Sequence, residues 1–119
     1  MIGAGNLGHA IAHYQSFTNH GFRIAVIFDN DPERIGTKIE NFTIQDMNNL
    51  VDIIQKSKIK IAMLTVPASA AQAVTEELVN AGIKAILNYA PITISVPHDV
   101  HVQSVDPVIY LQKMTYYLD

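Results

Sequence analysis

Along this chain the spacing of apolar residues switches repeatedly between helical periodicity and the near-continuous runs of buried strands. From Asn6 to His20, apolar Leu7, Ala10, Ile11, Tyr14 and Phe17 recur at three- and four-residue intervals, which places one stripe on a helix; Gly21 follows where a left-handed stop is favoured. Phe22 to Asp29 is an almost unbroken apolar run ending in an acid, the pattern of a parallel strand covered on both faces. Asp31-Pro32-Glu33 predicts a turn and Phe42-Thr43-Ile44 a short edge strand. Asp46 is placed as the N-cap of a helix reaching Lys56, with Met47, Leu50, Ile53 and Ile54 facing inward. Ile61 to Val66 predicts another buried strand, Ala68 to Ala81 a helix after Pro67, Gly82 its stop, and Lys84 to Asn88 a further strand. Strand and helix alternate, so the chain predicts an α/β fold: a doubly wound parallel sheet with helices on both faces, because parallel neighbours require a crossover.

The ending has a different character. After a last strand near Val102 to Val105, Asp106 and Pro107 read as N-cap and first position of a helix running towards Leu118. Its apolar residues, Val108, Ile109, Leu111, Met114, Tyr116, Tyr117 and Leu118, occupy too wide an arc for a helix lying on one sheet face. The pattern therefore divides the chain into a sheet domain, 1–105, and a C-terminal helix, 106–119, that calls for a second body to cover it.

Composition narrows the class. With 119 residues, 49% hydrophobic and 16% charged, the chain has the balance of one globular domain, large enough to hold a core without disulfides or a structural metal. It has no cysteine, which suits a reducing cytoplasm and leaves no thiol chemistry. A net charge of −3 lacks the basic excess that drives binding to a phosphate backbone. The longest apolar runs fall far short of the roughly 20 residues of a membrane helix.

Candidate chemistry lies in the first turn, Gly3-Ala4-Gly5-Asn6-Leu7-Gly8. Gly3 permits a tight turn out of a strand, Gly5 removes a side chain that would block a pyrophosphate, and Gly8 lets the following helix approach closely; the phosphates then meet the helix N-terminus. Glycines also cluster in ordinary turns, so the motif gains its weight from Asp29, 21 residues beyond Gly8 at the end of the next apolar run. A carboxylate there can accept both hydroxyls of an adenosine ribose, and with Asp31 and Glu33 nearby it disfavours a 2′-phosphate, pointing to NAD(H) rather than NADP(H). Asp29 can equally cap the turn Asn30-Asp31-Pro32, and the two roles are compatible. Only Met1 and Ile2 precede Gly3, whereas a Rossmann-like first strand has about five or six residues and is central in the order 3-2-1-4-5-6. A truncated first strand, in a fragment or early start of a longer protein, is the expectation.

At this point the residues resemble one family throughout, the bacterial redox-sensing transcriptional repressor Rex, in its NADH-binding domain. The resemblance rests on GAGNLG at Gly3 to Gly8, Tyr14-Gln15, FDNDPERIG at Phe28 to Gly36, LTVPASAAQ at Leu64 to Gln72, AGIKAILNYAP at Ala81 to Pro91, VPHDV at Val96 to Val100, and the final SVDPVIYLQKMTYYL. It implies a winged-helix DNA-binding domain, absent here, followed by this Rossmann domain and a last helix that swaps within a homodimer. It further implies that Gly3, Ala4, Gly5, Asn6, Leu7 and Gly8 hold the pyrophosphate and Asp29 the adenosine ribose. Val66 and Pro67 would lie by the adenine half, and Asn88, Tyr89, Ala90 and Pro91 on the nicotinamide side. Asp106 matches an acid in redox-dependent contacts with the DNA-binding domain. The sequence departs from the family at Tyr89, where Phe is usual, and at His9, where relatives are often basic.

Two other classes compete. A nicotinamide dehydrogenase needs a proton-moving group beside the nicotinamide, and Asn88 to Pro91 offer only Tyr89, so no catalytic residue is assigned and the chain is read as a sensor rather than an enzyme. A CoA-binding domain of the acyl-CoA ligase type shares the sheet and the glycine turn, but Asp29 is a poor neighbour for the 3′-phosphate of CoA. His9 and His13 have the spacing of metal ligands on one helix face, yet no third ligand is evident, and both are read as solvated or packed residues.

Overall fold

The computed structural model describes residues 1–13, 20–105 and 107–118. Helix α1 spans Asn6–Ala12, with Gly5 at its N-cap. Tyr14 and Phe17, expected on the same helix, lie outside the described residues, as does Asp106. Strands β1 (Phe28–Asp29), β2 (Lys38–Ile39), β3 (Phe42–Thr43) and β4 (Gln45–Asp46) follow, and a 3-10 turn at Met47–Asn49 leads into α2 (Leu50–Ser57). Then come β5 (Ile61–Leu64), α3 (Ala68–Ala81), β6 (Ala85–Asn88), β7 (His101–Ser104) and α4 (Pro107–Leu118).

The main sheet is parallel. β1 pairs with β4, and β6 lies between β5 and β7. Ile2 joins these halves through parallel bridges to Phe28 on one side and Leu64 on the other, giving the order β4-β1-Ile2-β5-β6-β7. Two residues thus do the work of the expected first strand. The Ile2 N–H donates to the Met63 carbonyl (2.8 Å) and the Thr65 N–H to the Ile2 carbonyl (2.8 Å), while the Phe28 N–H reaches the Met1 carbonyl (2.9 Å).

Successive residues point to opposite faces of such a sheet. Ile2, Phe28 and Leu64 accordingly belong to one core cluster, with Leu50 and Ile54 of α2 and Ala71, Leu78 and Ala81 of α3. Their neighbours Met1 and Ile27 belong to the other, with Ile11 of α1, and Met63 packs against it. Helices therefore cover both faces, as the alternation of elements predicts.

The run from Phe22 predicts a longer strand than forms. Only Phe28 and Asp29 are in the ladder; just before them the Val26 carbonyl accepts from the Met1 amino group (2.9 Å) and the Ile27 carbonyl from the Gln45 N–H (2.8 Å). Phe22 is 60% exposed. Phe42 and Thr43 form an antiparallel hairpin with Lys38 and Ile39, a pairing the sequence reading lacked. Asp46 caps as expected, its Oδ1 accepting from the Asn48 N–H (2.9 Å), but a 3-10 turn precedes the α-helix.

Candidate functional site

Every strand that borders the centre of the sheet ends at the same rim: Ile2 runs into Gly3, β1 ends at Asp29, β5 leads into Thr65 to Pro67, and β6 into Tyr89. Where strand order reverses, between Ile2 and β5, the crossovers leave on opposite faces and a crevice opens. The cleft found there has a volume of about 740 Å³ and is lined by residues from all four of these turns, among them Gly3, Gly5, Asn6, Leu7, Asp29, Val66, Pro67, Tyr89 and Pro91.

Two glycines shape the floor. Gly3 has φ +103°, and a Cβ on it would stand 2.7 Å from the Thr65 carbonyl oxygen. A Cβ on Gly8 would stand 2.2 Å from the Gly3 carbonyl oxygen, so α1 lies directly on the turn that precedes it. The Thr65 hydroxyl, 2.8 Å from the carbonyl oxygens of both Ile2 and Gly3, fastens the turn to β5. At its N-terminus α1 has no capping side chain and no acidic residue in its first turn, which leaves unpaired N–H groups and a positive dipole end at the cleft.

Asp29 is buried, yet its carboxylate is ionised more readily than usual. Burial by itself pushes its pKa up; hydrogen bonds from the N–H groups of Asp31 and Ala4, from the Arg34 guanidinium and from the Asn30 N–H outweigh it and hold the pKa below the ordinary value of 3.8. The Ala4 N–H is 2.9 Å from Oδ2, the Asp31 N–H 3.0 Å from Oδ1, and Arg34 Nη1 3.2 Å from Oδ2. Asp29 thus caps the turn after β1, and its side chain also lines the cleft.

Not all the residues singled out from the sequence touch the cleft. Ala4 is buried behind the turn and supplies only its N–H to Asp29. Gly8 packs against Gly3. Asn88, fully buried, holds the segment after β6: its Nδ2 donates to the Ile92 carbonyl (2.9 Å) and its Oδ1 accepts from the Ala90 N–H (2.9 Å). Ala90 is buried, whereas its neighbours Tyr89 and Pro91 line the cleft. The sequence reading missed Thr65, Arg34, Met47, Ala70 and Val74 as lining residues. Thr65 was findable, because it stands near the carboxyl end of the predicted strand Ile61 to Val66, the end where doubly wound sheets bind ligands. Met47 comes from the 3-10 turn after β4, which apolar spacing alone could not aim.

His13 pairs with Glu40 across the surface, and among the described residues no three His, Cys, Asp or Glu side chains converge as a metal site. No helix among them is long and apolar enough to cross a membrane.

The chain is similar to known proteins. Residues 1–92 match the family model described as CoA binding domain. The redox-sensing transcriptional repressor Rex of Chloroflexus aurantiacus is 51% identical over 118 residues, which are 99% of this chain and 56% of that protein. A crystal structure of RSP, a Rex-family repressor, in complex with beta-NADH superposes with a TM-score of 0.90 at 44% identity over 98% of this chain and 56% of that one. RSP in complex with beta-NAD+ and operator DNA gives a TM-score of 0.90 at 44% identity, over 98% of this chain and 54% of the other. The chain thus spans little more than half the length of the relatives it matches.

Proposed function

The chain belongs to the CoA-binding domain family, and on that premise we propose that it is the NAD(H)-binding sensor domain of a redox-responsive transcriptional repressor, reading the ratio of NADH to NAD+. The observation that carries the reading is Asp29: an ionised, buried carboxylate at the end of β1, 2.9 Å from the N–H of the glycine turn, facing the cleft. An acid in that place accepts the adenosine ribose hydroxyls of a dinucleotide. Likeness over 98% of this chain to a Rex-family repressor in complex with beta-NADH supports the same ligand.

In this proposal Gly3 to Gly8 receive the pyrophosphate at the start of α1, Val66 and Pro67 flank the adenine half, and Tyr89 and Pro91 border the nicotinamide. Asn88 and Ala90 act from behind, by fixing the segment that carries Tyr89 and Pro91. No residue is given a catalytic role: the domain binds and reports. Operator binding belongs to a winged-helix domain outside these residues, and the two units are the sheet domain, 1–105, and the helix, 106–119, which dimerises the chain by packing on a second copy.

The family's name supplies a second reading, CoA. CoA carries a 3′-phosphate on its adenosine ribose, and the Asp29 carboxylate opposes it, so the dinucleotide is favoured. Titrating the chain with NADH, NADPH and CoA tests this. NADH is expected to bind most tightly; tighter binding of CoA would overturn the proposal.

A further inference from the structure

We propose that Arg34 is a competing occupant of the ribose seat, displaced when the dinucleotide binds, so that it holds affinity down instead of contributing to it. The inference rests on the NAD(H) reading and extends it to the adenosine end of the same cleft.

Asp29 Oδ2 accepts two hydrogen bonds, from the Ala4 N–H (2.9 Å) and from Arg34 Nη1 (3.2 Å). A carboxylate oxygen has two lone-pair sites, so Oδ2 is full. A ribose diol that engages both oxygens of Asp29 must therefore replace one of these donors. Ala4 cannot leave: it is 1% exposed and its N–H is fixed in the backbone of the glycine turn. Arg34 can, because its side chain is 46% exposed and its Nε already lies 3.6 Å from Asp31 Oδ2, a second acid that receives the guanidinium once Asp29 is taken. Position makes the competition direct. Arg34 lines the cleft together with Gly5 and Asp29, and its Nη1 lies 3.7 Å from where a Cβ on Gly5 would stand, so the guanidinium bridges the glycine turn and the acid where the ribose and pyrophosphate must enter.

The test compares the full chain with its Arg34→Gln variant by calorimetric titration, using NADH and an NADH analogue whose adenosine ribose lacks both hydroxyls. The variant should fold, since the bonds that fix this turn use the Arg34 backbone: its N–H donates to the Asp31 carbonyl (2.9 Å) and its carbonyl accepts from the Thr37 hydroxyl (2.6 Å). Arg34→Gln is expected to bind NADH about two- to fivefold more tightly, the modest strength of a half-exposed ion pair, and to bind the analogue no better than the parent does. Equal or weaker binding of NADH by the variant would overturn the inference while leaving the NAD(H) reading intact. An equal gain with the analogue would overturn it too, by showing that Arg34 acts away from the ribose hydroxyls. Failure of both proteins to bind NADH would overturn the NAD(H) reading and this inference with it.

Discussion

Asp29 shows how one carboxylate serves fold and ligand together. Its hydrogen-bond donors are drawn from the glycine turn, from the turn after β1 and from Arg34, so ionisation of this group ties two loops together. Replacing it with Ala removes an acceptor for charged hydrogen bonds, and NADH affinity should fall by about 1.5–3 kcal/mol, measured by titration. Acid stability carries the same signature. Because the folded pKa lies below 3.8, Asp29 contributes stability that is present above its unfolded value and lost as pH falls through the folded one. Denaturant unfolding from pH 6 down to pH 3 should therefore show a smaller acid loss in Asp29→Asn than in the parent; an unchanged loss would remove Asp29 from the account. Gly8 permits a test in which two rules disagree. Helix propensity alone predicts that Ala at a helical position stabilises by about 1 kcal/mol. A Cβ 2.2 Å from the Gly3 carbonyl oxygen predicts the reverse, and Gly8→Ala should destabilise by about 1–3 kcal/mol or more in denaturant unfolding.

Among the elements, the two-residue segment Met1-Ile2 has the largest consequence for its size. Without it β1 and β4 would have no backbone link to β5, β6 and β7, and the cleft lies at the junction it makes. Thr65 reinforces that junction from β5, its hydroxyl within 2.8 Å of the Ile2 and Gly3 carbonyl oxygens. Thr65→Val keeps the shape and deletes the donor, so unfolding free energy should drop by about 1 kcal/mol while Thr65→Ser stays close to the parent. If Val and Ser behave alike, the hydroxyl does not hold the turn.

For the whole molecule, α4 presents the most exposed large apolar side chains among the described residues. Leu111, Met114, Tyr116, Tyr117 and Leu118 are exposed by 58% to 89%, and a contiguous apolar surface of this kind marks an interaction site in a soluble protein. The proposed partner is a second copy of the chain. Sedimentation of the full chain and of a version ending at Val105 should show self-association in the first and a monomer in the second; identical species would free the helix of that role.

The sequence by itself determined the main alternation of helices and strands, because periodicity and stop signals act locally. Ala68 to Ala81 is helical as its spacing and Gly82 predict, and the acid ending the second apolar run stands at the cleft. It also determined that a glycine turn and an acid belong to one site, since a doubly wound sheet brings both to the carboxyl ends of adjacent strands. Tertiary structure decided the rest, where the outcome depends on neighbours distant in sequence. Phe22 to Ile27 read as strand, yet the ladder takes only Phe28 and Asp29, because apolar content is a local signal whereas pairing depends on neighbours distant in sequence. Asn88 reads as a ligand by its place in a motif, yet the chain folds the following segment over it and spends its amide on Ile92 and Ala90. Arg34 reads as one charge in an acidic turn, and only the approach of that turn to Gly5 makes it a lining residue of the cleft.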